Sequence, residues 1–288
     1  MQPVDVSRAI AAATSIASAH GLTVDDTVVL QNSNKLTVHL LPCDALARIA
    51  PLAQQVAQFE VELAGQLSAT GSPAVALEPR VPPHVFERDG FAITLWTYHA
   101  SVTPDVVPAD YANALRGLHI GMRKIEITTP HFTDRVAEAE GLLASLQQTP
   151  ELPDMDREFL RGMLKSLKSS IVDCGAAEQL LHGEPHPGNV LSTKIGPLFI
   201  DLETCCRGPI EFDLAHVPEA VIDHYPGVDA ILLGECRALV LVMVAAWRWD
   251  AEDQFPDGRR WAEQFIRTLR KGAPWPSLDK MTLHLAET

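Results

Sequence analysis

The stretch that most limits how this chain can fold runs from Leu181 to Glu203. It begins Leu-His-Gly-Glu-Pro-His-Pro-Gly-Asn-Val-Leu and ends Leu198-Phe199-Ile200-Asp201-Leu202-Glu203. Pro185 and Pro187 remove amide donors, and Gly183 and Gly188 loosen the backbone, so neither helix nor strand can pass through it. It must be a loop, yet it is full of groups that bind protons or cations: His182, Glu184, His186 and Asn189. Behind it, Val190 to Asp201 reads as strand, turn and strand around Lys194-Ile195-Gly196. An antiparallel hairpin brings its two ends side by side. That pattern predicts Asn189, before the first strand, and Asp201, after the second, facing one space. An amide oxygen and a carboxylate are hard ligands that suit Mg²⁺, which completes its shell with phosphate and water. Glu184 precedes Asn189 by five residues and is placed to act on a hydroxyl beside such an ion.

The remaining periodicities fall into two regions. The first reads as a helix over Ala9–Ala19 behind an Asp5 or Ser7 cap, then strands at Thr27–Leu30, Leu36–Leu41 and Ala45–Ile49, with Asn32-Ser33-Asn34-Lys35 as the first turn. Leu52, Val56, Phe59, Leu63 and Leu67 predict a helix with one apolar face, and Phe91–Tyr98 a further strand. Beyond it the pattern is helical: Tyr111–Met122, Asp134–Gln147, Arg157–Ile171, and from Leu214 with breaks to Lys271. The switch places a boundary near residue 98. The expected fold class is α+β: a small antiparallel-sheet lobe over residues 1–98 and a larger, mainly helical lobe over 99–288.

Composition narrows the function classes. Hydrophobic residues make up 47% and charged residues 21% of 288, a balance that supplies a core and argues against disorder. Lys and Arg number 23 against 37 Asp and Glu, a net charge of −14, the wrong sign for general nucleic-acid binding. Five cysteines, an odd number without a C-x-x-C pair, argue against a zinc site or disulfide framework and fit a reducing cytoplasm. The apolar run Ala238–Trp247 is shorter than the ~20 residues a bilayer span needs, so it reads as a buried helix. Ala9–Ala19 contains Thr14, Ser15 and Ser18 and reads as a helix, not a signal peptide. No membrane partner is expected, and the oligomeric state is left open.

The loop and hairpin resemble the signature of the aminoglycoside phosphotransferase and choline kinase-like family, His-Gly-Asp-x-x-x-x-Asn followed by Ile-Asp-x-Glu or Ile-Asp-x-Asp. The resemblance implies a two-lobed, protein-kinase-like fold. It also implies transfer of the γ-phosphoryl group of ATP or GTP to a hydroxyl of a small molecule. By it, Asn189 and Asp201 hold Mg²⁺, Glu203 is a second metal ligand or a supporting group, and Glu184 stands where the family has its catalytic Asp. His182 and Gly183 shape the loop. Gly208-Pro209-Ile210-Glu211-Phe212-Asp213-Leu214-Ala215 resembles the family's Gly-Pro-x-x-x-Asp-Leu-Ala, whose Asp supports the loop; Asp213 also reads as a helix cap. Ala45-Leu46-Ala47-Arg48-Ile49 resembles the strand whose basic residue holds nucleotide phosphates, and Glu60 the acidic partner of that residue. Leu115-Arg116-Gly117-Leu118-His119 resembles a helix of the large lobe, and Phe91–Tyr98 the interlobe strand.

Two departures stand out. Glu184 carries one methylene more than Asp, which moves its carboxylate by about 1.5 Å on a fixed backbone. The nucleotide loop Asn32–Lys35 has no glycine, so phosphates would meet the backbone N–H groups of Ser33 and Asn34 together with Lys35 or Arg48. These departures motivate a second reading, a catalytically weak kinase-like binding or regulatory protein. For the acceptor, the family places its site among C-terminal helices, where Trp247, Trp249 and Asp250 stand. Two residues apart on a helix, Trp247 and Trp249 cannot both face the core. His186 is either a substrate or phosphate contact or an exposed loop residue. Residues 99–288 hold 18 basic and 28 acidic residues, and Asp250, Glu252 and Asp253 lie beside the tryptophans. That combination biases the expectation toward a cationic acceptor.

Overall fold

The computed structural model describes residues 3–33, 35–52, 56–103 and 106–281. In chain order the elements are α1 (Pro3–Ala19), β1 (Val24–Asn32), β2 (Leu36–Pro42), β3 (Ala45–Pro51), α2 (Val56–Thr70), β4 (Phe86–Arg88), β5 (Phe91–Thr97), α3 (Pro108–Met122), α4 (Phe132–Ala144) and α5 (Asp154–Asp173). There follow β6 (Glu178–Leu181), β7 (Val190–Thr193), β8 (Gly196–Phe199), β9 (Cys206–Pro209), α6 (Ile210–Leu214), α7 (Glu219–Ile222), α8 (Ala230–Trp247) and α9 (Gly258–Arg270). Two compact units form. One is Met1–Val106 with Lys124–Ile127 and Val190–Glu203; the other is Val107–Arg123, Thr128–Asn189 and Thr204–Thr288.

The first unit is built on an antiparallel sheet in the order β1-β2-β3-β5-β4. Alternation along β2 and β3 decides its faces. Leu36, Val38, Leu40, Ala45, Ala47 and Ile49 point to one side, where Ala9, Ala12, Ala13 and Ala17 of α1 pack on them. The small alanines let the helix backbone come close to the sheet. Arg48, between Ala47 and Ile49, therefore points to the opposite face, paired in register with Thr94 of β5. A one-residue slip of β3 would drive Arg48 under α1. The sequence places Asp5 and Ser7 as caps of α1, but the helix begins earlier and both lie inside it. The helix expected over Leu52–Leu67 is α2, and residues 53–55 lie outside the described residues. In the same unit β7 and β8 form the expected hairpin, Val190 opposite Phe199 and Thr193 opposite Gly196.

The second unit is mainly helical. Its central element is α8, whose 18 residues are apolar enough in length and composition to cross a membrane. Most of it, from Leu232 to Ala246, is buried, so its hydrophobicity is spent on α5 and α9 as a core helix. A two-stranded ribbon, β6 against β9, has no counterpart in the sequence reading. Its strands are only four residues each, too short to carry a periodic signal. Buried Arg157 of α5 ties down the α4–α5 connection by donating to the carbonyls of Leu143, Thr149 and Leu152 and to the Thr149 hydroxyl.

The α1 interface gives a stability test. Ala13 is 0% exposed against the sheet, whereas Ala11 faces solvent. Ala13→Leu should cost roughly 1–3 kcal/mol by overpacking, and Ala11→Leu should stay within about 0.5 kcal/mol of the wild type, both read from urea unfolding.

Candidate active site

In the second unit the loop His182–Asn189 is fixed from several sides. The carboxylate of Asp213 accepts the His182 amide at 2.9 Å and the Gly183 amide at 2.7 Å. Asp213 is 0% exposed and sits inside α6; it is no helix cap but the anchor of the loop. Burial works against its charge, but the hydrogen bonds and charge of His119, with those of His182, prevail and hold the carboxyl below its ordinary range. A carboxylate can only accept, so Nε2 of His119, 2.9 Å away, carries a proton, while Nδ1 meets the Tyr225 hydroxyl at 2.7 Å. Burial, reinforced by Asp213, pushes that phenol up to about 12, so it keeps its hydrogen. Thr204 donates to the His182 carbonyl at 3.1 Å. Gly183 has φ of +89°, and a Cβ there would collide with the Thr204 carbonyl. Both the left-handed backbone and the close approach require glycine. Tyr111 donates to the Pro185 carbonyl.

Glu184 lies in the middle of this braced loop. Its carbonyl accepts from the His186 amide at 2.8 Å and from Nδ2 of Asn189 at 3.0 Å. Its carboxylate is paired with Arg135, which α4 presents in its first turn. That turn is set by a capping box in which His131 and Asp134 bond each other's backbone ends. Burial is the largest influence on Glu184 and favours its neutral form, but Arg135, His216 and His186 together outweigh it, so its pKa is depressed. His216 is buried beside it, with Nδ1 at 2.9 Å from the Phe212 carbonyl. Desolvation lowers its pKa to about 4, leaving a neutral imidazole at pH 7. The sequence carries no signal for Arg135 or His216, since neither belongs to a motif and only tertiary folding brings them to Glu184.

In the first unit the predicted nucleotide residues gather into an ionic cluster. Arg48 bonds Glu60 of α2 at 2.7 Å and Asp201 at 2.5 Å. Lys35 bonds Glu60 at 2.6 Å and is also paired with Glu203. Two cations thus hold three carboxylates, with Glu60 3% exposed at the centre. Burial opposes the charge on Arg48, but the carboxylates prevail and its pKa is raised. Its guanidinium also lies 5.8 Å from the Trp96 ring centroid. Asp201 follows the β7–β8 hairpin with φ of +65°, a left-handed conformation that Asp tolerates better than most residues. The Ser33 amide, expected to meet phosphate, instead donates to the Lys35 carbonyl at 3.1 Å. Asn34 lies outside the described residues.

The donor chemistry fits a hard divalent ion. Among the described residues no group of three or more His, Cys, Asp or Glu could hold a metal ion. Asp201 and Glu203 offer carboxylate oxygens. In the other unit Asn189 keeps Oδ1 as its acceptor, Nδ2 being bonded to the Glu184 carbonyl. Few protein oxygens completed by phosphate and water is the coordination habit of Mg²⁺.

A cavity of about 360 Å³ opens in the second unit beside Glu184, with His186, His216, Trp247, Phe255 and Trp261 in its wall. Of the expected acceptor residues, Trp247 and His186 are there. Trp249 and Asp250 are not: α8 ends at Trp247, Trp249 turns inward to 6% exposure under Arg259, and Asp250 accepts the Glu252 amide.

A profile of the phosphotransferase enzyme family matches residues 30–229, and the chain belongs to that family. No curated protein sequence matches it. Among solved structures, a choline/ethanolamine kinase family protein from Mesorhizobium loti aligns with a TM-score of 0.69 at 18% identity, covering 96% of this chain and 97% of that one. Amicoumacin kinase hAmiN, in complex with AMP-PNP, Ca²⁺ and Ami, aligns at 0.69 and 11% identity over 98% of this chain and 100% of its own. The GDP and kanamycin complex of APH(2")-IIia aligns at 0.66 and 14% identity, covering 90% and 97%. At such identities the likeness establishes the fold, the kinase-like phosphotransferase fold of α+β class that the loop signature implies.

Two substitutions test the braced loop. Asp213→Asn cannot accept both amides and His119 on one oxygen, and should lower stability by roughly 2–4 kcal/mol and depress turnover with it. These are read by urea unfolding and nucleotide consumption. Arg135→Leu removes the largest influence holding Glu184 ionised, so burial should raise its pKa. The acid limb of kcat/KM should then move from below about pH 4.5 to higher pH, with rate lost as pH falls.

Proposed function

We propose that this chain is a small-molecule kinase that transfers the γ-phosphoryl group of ATP or GTP to an alcohol. The observation that carries the reading is the anchored loop, in which Asp213 grips His182 and Gly183 and so fixes the backbone of Glu184. In the proposed reaction Glu184 orients the acceptor hydroxyl and takes its proton. The hydroxyl oxygen bonds to the γ-phosphorus as the bond to the bridging oxygen breaks, and the nucleoside diphosphate leaves. Arg48, held by Glu60, and Lys35 contact the phosphates. Asn189 and Asp201, with Glu203 in support, would hold Mg²⁺, which would supply positive charge against the phosphates.

The depressed pKa of Glu184 suits this role. It keeps the carboxylate ionised at neutral pH, and phosphoryl transfer relies more on positioning and charge stabilisation than on strong base catalysis. The residues 1–98 are proposed as the nucleotide-binding part and 99–288 as the part that takes the acceptor. Five free thiols support a reducing, cytoplasmic setting for it.

A second reading, a kinase-like binding or regulatory protein, is favoured by one observation: the Glu184 carboxylate is already paired with Arg135. Nucleotide consumption over a panel of hydroxylated acceptors separates the two. A kinase turns over, and Asp201→Ala should then lose at least about 100-fold in kcat, the scale of a displaced catalytic group. Full turnover by Asp201→Ala would overturn the mechanism. No turnover, and no stabilisation by Mg-nucleotide in thermal unfolding, would favour the binding protein.

A further inference from the structure

Resting on the kinase reading above, we infer that the acceptor is a neutral alcohol with an apolar, ring-sized body, and not a polycationic or anionic sugar. The wall of the cavity carries the argument. Trp261 and Phe265 stand one turn apart on α9 and share a face, with ring centroids 5.9 Å apart. Phe255 meets Trp261 edge to face at 6.1 Å. Trp247, Val244, Leu278 and Pro187 extend this apolar surface to the loop that holds Glu184. Such a lining binds by burying apolar area and aromatic faces.

The charges around this wall are largely matched within the protein. The Glu184 carboxylate is paired with Arg135, whose guanidinium also lies 5.3 Å from the Trp247 ring centroid. Arg248 is bonded to Asp253 at 2.5 Å and sits 4.2 Å from the Phe255 ring centroid. His216 is neutral at pH 7 because it is buried. Asp253, which in sequence suggests a lure for cations, is thus spent on Arg248, and Asp250 is absent from the wall. Asp279 is the other carboxylate in it. To use Glu184 or Asp253 a polyamine would have to break the Arg135 or Arg248 pair, which leaves Asp279 as the one other carboxylate of the wall against several amines, and a carboxylate-bearing sugar would have to displace Glu184 from Arg135 or Asp253 from Arg248. A neutral alcohol leaves both pairs intact and still offers a hydroxyl to Glu184.

The test uses the full-length protein with Mg-ATP and Mg-GTP. Nucleoside diphosphate release is measured with 2-(indol-3-yl)ethanol and 3-phenylpropan-1-ol as neutral apolar alcohols, kanamycin as polycation, choline as monocation and gluconate as anion. Binding of each without nucleotide is followed by tryptophan fluorescence. The neutral alcohols should bind and turn over with kcat/KM at least about 10-fold above the charged compounds, the scale of a well-filled aromatic pocket. Trp261→Ala should raise their KM or Kd at least about 10-fold while the KM for nucleotide stays put. Phe255 is 47% exposed, so Phe255→Ala spares the core and should shift the same constant in the same direction. Tighter binding or faster turnover of kanamycin, choline or gluconate would overturn the inference while leaving the kinase reading intact. Selective binding of the neutral alcohols, lost in both variants but without phosphate transfer to any compound, would support the ligand class and overturn the kinase reading instead.

Discussion

A single buried carboxylate sets the geometry on which the candidate chemistry rests. Asp213 has no access to water, and an uncompensated charge there would be very costly. The structure meets that cost with two loop amides and a histidine. Each partner is constrained in return. The amides fix the turn at His182 and Gly183, and His119 ties that turn to α3 and, through Tyr225, to the segment after α7. Gly183 then has to be glycine, because the loop is drawn against the Thr204 carbonyl. Glu184 inherits its position from this clamp: the backbone is held at His182 and Gly183 while its side chain reaches Arg135.

The ionic cluster of the other unit works by a comparable exchange. The strand register turns Arg48 away from α1 and toward α2, where Glu60 is nearly inaccessible. Either charge alone would be expensive there. Together with Lys35, Asp201 and Glu203 they form a network in which every member has at least one opposite charge within 2.7 Å. Three carboxylates against two cations leave the cluster short of positive charge, a setting that a divalent ion would complete.

The cavity shows how the turn after α8 redistributes charges that stand together in sequence. Acidic residues cluster in sequence after α8, and on a straight helix they would flank Trp247 and Trp249. The helix stops at Trp247, the next turn swings Trp249 inward, and Asp253 folds back onto Arg248. Of the carboxylates that look like a cation lure, Asp253 is paired with Arg248 and Asp250 accepts the Glu252 amide. The wall that remains is aromatic, supplied in part by Trp261 and Phe265 of α9, which belong to no motif in the sequence.

What the sequence determined by itself was local in its physics. Pro185, Pro187 and the two glycines forced a loop, and alternation along β2 and β3 set the face that carries Arg48. The spacing of Glu184, Asn189 and Asp201 about a hairpin, with the family likeness, named the candidate chemistry. The bond from the Ser33 amide to the Lys35 carbonyl was not legible because a turn amide is satisfied by whichever carbonyl the turn presents, and that is a matter of φ and ψ rather than residue type. The β6–β9 ribbon was illegible because four residues carry too little period. The family likeness implied that Asp213 supports the loop, but the atoms of its clamp, the pairing of Glu184 with Arg135, the neutral state of His216 and the aromatic cavity were decided only in the tertiary structure. Each depends on groups tens of residues apart meeting where water is excluded, and it is that exclusion which sets their charge and their partners.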